Sequence, residues 1–344
     1  MSEVPRTSRA RTWVRLMPVV AGALGFAGAV ILFARNHPGR ILDLVAFAGF
    51  GMLWLVPIRI VVLTLNAQGW RALFPKGHTV SLGLLTWLAF VRNAVNTLLP
   101  VAHVGGEVAA ARYLIRRKVP APVAVAGVVV ETTITIFVQM GFALLGIGLL
   151  LSYMGDARLI ERLWWGLAMA VPAGLVFVLL QYRSRLFTRL ERGLARINTG
   201  LAVEAGGGAA VDEEIKSLYR RGRALIYCAF WQALSLLGGA GEFWVILHLL
   251  HQHASVRLAV LLESLVQAMQ SAAFMVPGTL GVQEGGLIAI GAATGLPAEA
   301  ALAISAVRRV RQIGISLPVL LLWLRAGRAS SGEGAVRRDD MSAL

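Results

Sequence analysis

Apolar residues run almost unbroken over about 16–34, 41–65, 79–99, 121–152, 163–181, 224–250, 256–276, 279–297 and 299–324, with polar residues gathered between them. A bilayer crossing takes about 20 apolar residues, so the pattern predicts an all-α, polytopic integral membrane protein. The run 279–297, with its glycines and Glu284, is a poor full span. The run 121–152 is long enough to tilt strongly, or to lose its last turns to the interface at Tyr153.

Two of these stretches are interrupted by the same kind of element. In the first, Asn96 and Thr97 lead into Leu98-Leu99-Pro100-Val101-Ala102-His103-Val104-Gly105-Gly106-Glu107. In the second, Met275 and Val276 lead into Pro277-Gly278-Thr279-Leu280-Gly281-Val282-Gln283-Glu284-Gly285-Gly286. Proline removes a helix hydrogen bond and glycine weakens helix further. In lipid such a break persists only where protein or trapped water satisfies the freed backbone groups. Pro100, Gly105, Gly106, Pro277, Gly278, Gly281, Gly285 and Gly286 are therefore the expected hinge or helix-break residues. The segments 79–118 and 256–297 are expected to be broken, re-entrant hairpins packed in the interior. Counting crossings from the cytoplasm, they enter from opposite faces, an arrangement like inverted repeats. The competing expectation is two kinks that permit tight packing of full-length helices.

The expected organisation follows. Residues 1–181 form a first transmembrane half, 182–223 a cytoplasmic linker, 224–325 a second half and 326–344 a disordered tail. The linker contains Gly206-Gly207-Gly208, read as flexible, between basic flanks, and is expected to be a plain interhelical loop or to lie against anionic headgroups as amphipathic helix.

Composition removes several function classes. Of 344 residues, 57% are hydrophobic and only 15% charged, too few charges to cover a soluble domain. The net charge of +15 comes from arginines in short runs at the ends of apolar segments. That pattern orients membrane helices, so no nucleic-acid partner is expected. Basic clusters at the N-terminus, Arg71 and Lys76, Arg112 to Lys118, Arg183 to Arg196, Lys216 to Arg223, and Arg325 and Arg328 place both termini in the cytoplasm. The N-terminal segment is longer than a signal core and reads as a retained helix. One cysteine, Cys228, and six histidines without ligand spacing predict neither disulfide nor metal. No phosphate-binding loop, nucleophile elbow or strand–helix alternation is present, so no catalytic residue and no cofactor is expected.

Charge inside the apolar runs is the candidate chemistry. Arg59, Arg92, Glu107, Glu131, Glu242, Glu263, Glu284 and the triplet Arg308, Arg309 and Arg311 all fall there, where ionised groups need partners or water. The triplet is expected either to pair with Glu263 or Glu284, or to line a wet cavity that attracts a lipid phosphate. Arg92, Asn96, His103, Glu107, Glu263, Gln267, Glu284, Arg308, Arg309 and Arg311 form the expected substrate path. Amides at Asn93, Gln270 and Gln283 serve a headgroup path or helix–helix association equally well.

The stretch from Asn96 to Glu107, followed by Ala111-Arg112, resembles the first signature of the lysylphosphatidylglycerol synthase transmembrane, or flippase-like, proteins. Glu263, Gln267, the stretch Pro277 to Gly286 and Arg308-Arg309 are similar to the subgroup associated with hopanoid biosynthesis. The resemblance covers roughly residues 10–325 and implies a bacterial inner-membrane protein whose partners are membrane lipids. It implies a lipid translocase, with hopanoid-related lipid among the candidate substrates. The cytoplasmic domain that attaches the amino acid in larger relatives is not expected here, so aminoacyl transfer is not implied. The alternative function is a non-catalytic scaffold or accessory for lipid-modifying enzymes.

Overall fold

A computed structural model describes residues 24–75, 80–99, 105–154, 207–273 and 279–342, with side chains in the last helix described to Ala326. The run 163–181, the stretch 182–206, Pro100, His103, Pro277 and Gly278 lie outside the described residues. Among the described residues all regular structure is helical: α1 (Leu24–Arg35), α2 (Pro38–Ala48), a 3-10 turn (Gly49–Trp54), α3 (Leu55–Arg71), α4 (Leu82–Leu98), α5 (Gly105–Arg116), α6 (Ala121–Met154), α7 (Gly208–Arg220), α8 (Gly222–Leu249), α9 (Val256–Ala272), α10 (Val282–Thr294) and α11 (Ala298–Ser342).

Three of these stretches, Pro38–Arg71, Ala121–Tyr153 and Gly222–Leu249, are long and apolar enough to cross a membrane. Their outward surfaces carry large apolar side chains, among them Phe47, Phe50, Trp54, Ile60, Ile136, Ile226 and Phe230. Aqueous solvent would penalise such a surface and lipid does not. The chain has a membrane-spanning helical fold.

The apolar interior is built in two parts. One gathers Trp70, Leu73, Leu85, Leu88, Leu114 and Val130 with α7 and the start of α8. The other gathers Leu55, Phe243, Ile246, Leu261, Leu287 and Ile304 from α3 and α8 to α11. A small third group, Val91, Ala94, Val95 and Leu320, seals α4 against α11. Thus α4 belongs to the first part at its start and meets α11 further along.

α4 leaves the helix at Leu99, whose backbone is extended, as the residue before a proline must be biased to do. It has 17 residues and α5 has 12, rises of about 25 and 18 Å. The second interruption ends at Gly281 (φ 78°), the residue that precedes α10. The glycine pairs are not themselves the breaks. Gly105 and Gly106 are in the first turn of α5, and Gly285 and Gly286 are inside α10. Close approach explains two of them: a Cβ on Gly106 would lie 2.6 Å from the Arg92 carbonyl, and one on Gly286 would overlap Met269 Sδ.

The end of the hydrophilic stretch is helix and not open loop. α7 lays Val211, Ile215 and Leu218 against α6. Tyr219 sits beside Thr133, and burial pushes its phenol above the ordinary range. Arg221 donates to the carbonyls of Leu73 and Phe74 at 3.0 and 3.5 Å, closing the end of α3. At the other end of the chain, helical backbone continues to Ser342, where the polar composition predicts disorder. Ala, Arg and Glu there have high helix propensity. Pro318 falls inside α11, four residues after Gly314, whose carbonyl is the one its ring displaces.

Candidate functional site

Helical spacing sorts the polar residues of α4 into two rows. Arg92 and Asn96, four apart, face α5 and α6; Asn93 and Thr97, also four apart, face α3 and α11.

The first row builds an arginine-centred cluster. Arg92 Nε lies 2.7 Å from Glu107 Oε2 of α5, and Nη2 donates to Glu131 Oε2 of α6 at 2.8 Å. The other oxygen of Glu131 accepts from Gln232 Nε2 of α8 at 2.7 Å and from Thr135 at 3.3 Å. Gln232 in turn accepts from Asn66 of α3 at 2.7 Å. The guanidinium lies over Trp70, 5.1 Å from the ring, a cation–π contact that helps a buried charge. Asn96 accepts from the Gly106 N–H at 2.9 Å, satisfying a donor that the start of α5 would leave open. Two carboxylates thus share one guanidinium.

The second cluster lies on α11. Arg308 pairs with Glu263 of α9 at 3.3 Å and stands 3.9 Å from Glu242 of α8; Arg311 pairs with Glu242 at 2.5 Å. Arg309 pairs with Glu284 of α10 at 2.9 Å. Glu284 also accepts from Ser305 at 2.8 Å and from the Gly281 N–H at 2.7 Å, so it caps α10 as well as balancing a charge. Gln283 and Gln270 continue the chain of amides from Ser305. Arg308 stacks over Phe243 at 4.2 Å.

The second row of α4 makes separate polar contacts with α3 and with α11, the helix that carries the second cluster. Arg59 of α3 donates to Asn93 Oδ1 at 2.7 Å, Asn93 reaches Ser316 of α11 at 3.4 Å, and Gln312 of α11 donates to Thr97 at 3.0 Å. Glu131, Glu242, Glu263 and Glu284 are almost fully buried. Charges so placed are costly unless paired and hydrogen-bonded; all four are paired, and Glu131, Glu263 and Glu284 are hydrogen-bonded as well. Several guanidinium donors still have no hydrogen-bond partner: Arg59 Nε, Arg92 Nη1, Arg308 Nη1 and Arg311 Nε.

Of the expected path, Arg92, Asn96 and Glu107 meet in the first cluster, and Glu263, Glu284, Arg308, Arg309 and Arg311 in the second. Gln267 joins neither through its side chain; its carbonyl accepts from Ser271. His103 lies outside the described residues. Glu131, Glu242 and Arg59 stand out in the sequence as intramembrane charges but not as path residues. Gln232, Ser305 and Gly239 carry no obvious signal. A Cβ on Gly239 would collide with Glu263 Oε1; the available clue is the run Gly238-Gly239-Ala240-Gly241 within an apolar helix.

The family model of the lysylphosphatidylglycerol synthase TM region matches residues 17–319. The chain belongs to this family. No curated protein and no solved structure matches it. The match spans both clusters and every helix from α1 to α10. Membership in this family, with the spanning helices, makes the protein a polytopic inner-membrane protein of lipid-handling lineage.

Proposed function

We propose that the protein is a lipid translocase, moving a polar or anionic lipid between the leaflets of the bacterial inner membrane without catalysing its chemistry. The observation that carries this reading is the set of polar side chains that α4 and α11 carry through otherwise apolar helices: Arg92 with Glu107 on one face of α4, Asn93 with Arg59 on the next, and, on the helix whose Ser316 Asn93 meets, Arg308 with Glu263 and Arg309 with Glu284. A headgroup crossing there exchanges water for guanidinium and amide donors while its tails stay in lipid. Interrupted helices beside both clusters fit re-entrant hairpins in an inverted-repeat arrangement, with both termini cytoplasmic. Similarity of the second signature to the hopanoid-associated subgroup makes a hopanoid-related lipid the finer proposal for substrate.

A second reading has its own support. Because Arg92, Arg308, Arg309 and Arg311 all hold carboxylates, the clusters also suit a purely structural core, in which case the protein is a scaffold or accessory for lipid-modifying enzymes.

Reconstitution into liposomes with a fluorescent, chemically quenchable anionic phospholipid separates the two. Wild type is expected to speed leaflet exchange, and a folded Glu284→Ala variant to lose most of that gain. No acceleration by folded wild type, with phospholipid and hopanoid probes both tried, supports the scaffold.

A further inference from the structure

Among the described residues five arginines, Arg59, Arg92, Arg308, Arg309 and Arg311, stand away from the ends of the apolar helices, and carboxylates partner four of them. Arg59 is the exception. Its Nη2 donates to the neutral amide oxygen of Asn93 at 2.7 Å, while its Nε is buried without a hydrogen-bond partner. Glu263 and Arg311 stand within electrostatic range of it, but no carboxylate of the described residues forms an ion pair with it. The first cluster, in contrast, has a carboxylate to spare, and that carboxylate does not reach Arg59.

An amide dipole compensates a guanidinium charge only in part, so a lone arginine at this depth is a standing cost unless an anion meets it. Geometry favours a particular anion. Nε–H and one Nη2–H form a single edge of the guanidinium, the edge that receives two oxygens of a phosphate or carboxylate together. Asn93 fills half of that edge and nothing fills the other half. Arg59 shares the inner face of α3 with the buried Leu55, Val62 and Leu63, so the edge points into the helix bundle, toward the polar side chains of α4. We infer that Arg59 is the anion-binding residue of the path and takes the phosphodiester of a lipid headgroup, displacing Asn93 from the guanidinium edge.

The identity of the anion as a lipid rests on the translocase reading, so the test needs a binding arm independent of transport. Binding of a fluorescent anionic phospholipid to detergent-purified protein is compared for wild type, Arg59→Gln, Arg59→Lys and Asn93→Asp, with a zwitterionic phospholipid as reference. Arg59→Gln is expected to lose about tenfold in affinity for the anionic probe, the order of one charge-assisted bidentate contact, with the zwitterionic probe unchanged. Arg59→Lys should keep part of the preference, as a point charge without the fork. Asn93→Asp supplies an internal carboxylate at the same edge; it should remove the preference while raising thermal stability, which guards against misreading an unfolded variant. Inorganic phosphate added to wild type should compete weakly; displacement of the lipid at equal concentration would assign the site to a soluble anion. Retention of the wild-type preference by both Arg59→Gln and Asn93→Asp overturns the inference. Wild type that binds the anionic probe selectively but moves neither lipid in liposomes refutes translocation and leaves the site at Arg59 standing.

Discussion

Arg92 holds two carboxylates from two different helices, which makes it the residue whose loss should cost most. Arg92→Gln leaves Glu107 and Glu131 facing each other in a buried site, and removal of one partner of such a pair costs about 3–5 kcal/mol. The expected outcome is a large fall in melting temperature in detergent, with Glu131→Gln in the same background restoring part of it. A smaller effect belongs to Gly239→Ala. The new methyl meets Glu263 Oε1, so the carboxylate must turn away from Arg308, at a cost of about 1–3 kcal/mol, read from the same melting curves. Residue chemistry is half legible in the sequence. An arginine or glutamate inside an apolar run announces itself, because hydrocarbon tolerates it so poorly. Its partner does not: Arg92 and Glu131 are 39 positions apart, and no period within one helix says which neighbour it will face. Gln232 and Ser305 are silent because amides and hydroxyls are common in membrane helices whether or not they touch a charge.

At the scale of elements, the apolar runs fall on α2 to α4, α6, α8 to α10 and the first part of α11, since helix length in lipid follows from bilayer thickness. The proline signal also ends α4 where the backbone in fact turns extended. The glycine pairs read as breaks and are not, because glycine serves two purposes, loosening backbone and admitting a neighbour, and sequence does not separate them. α7 escapes the apolar pattern for a different reason. Most of its residues are polar or small, and only the spacing of Val211, Ile215 and Leu218 betrays a face that packs on protein. Ile215 is 1% exposed, so Ile215→Asp should release α7 from α6. Backbone amides across 208–220 are expected to exchange with deuterium in seconds to minutes in that variant and to be protected in wild type, with α3 to α6 unaffected.

The whole molecule carries its orientation in its arginines, and one experiment reads it. Cys228 is the only cysteine and is fully buried. It should resist a membrane-impermeant maleimide, and its replacement by serine gives a background for single reporters. In intact cells His253→Cys is expected to label from outside, and Ser217→Cys only after permeabilisation; the reverse pattern would invert the topology. The structure also shows why charge concentrates on α11. Rows at Arg308 and Arg311, at Ser305 and Arg309, and at Gln312 and Ser316 meet α8 with α9, α10, and α4 respectively, so this helix makes polar contact with four others.

Glu242 gives that arrangement a double hold. It lies 2.5 Å from Arg311 and 3.9 Å from Arg308, two arginines three positions apart on one helix. A carboxylate within reach of both guanidiniums ties α8 to α11 at two successive levels of the helix, so either arginine can let go while the other still covers the charge. A shared ion pair of this kind acts as a double latch, keeping the two helices in register when one of its contacts is lost.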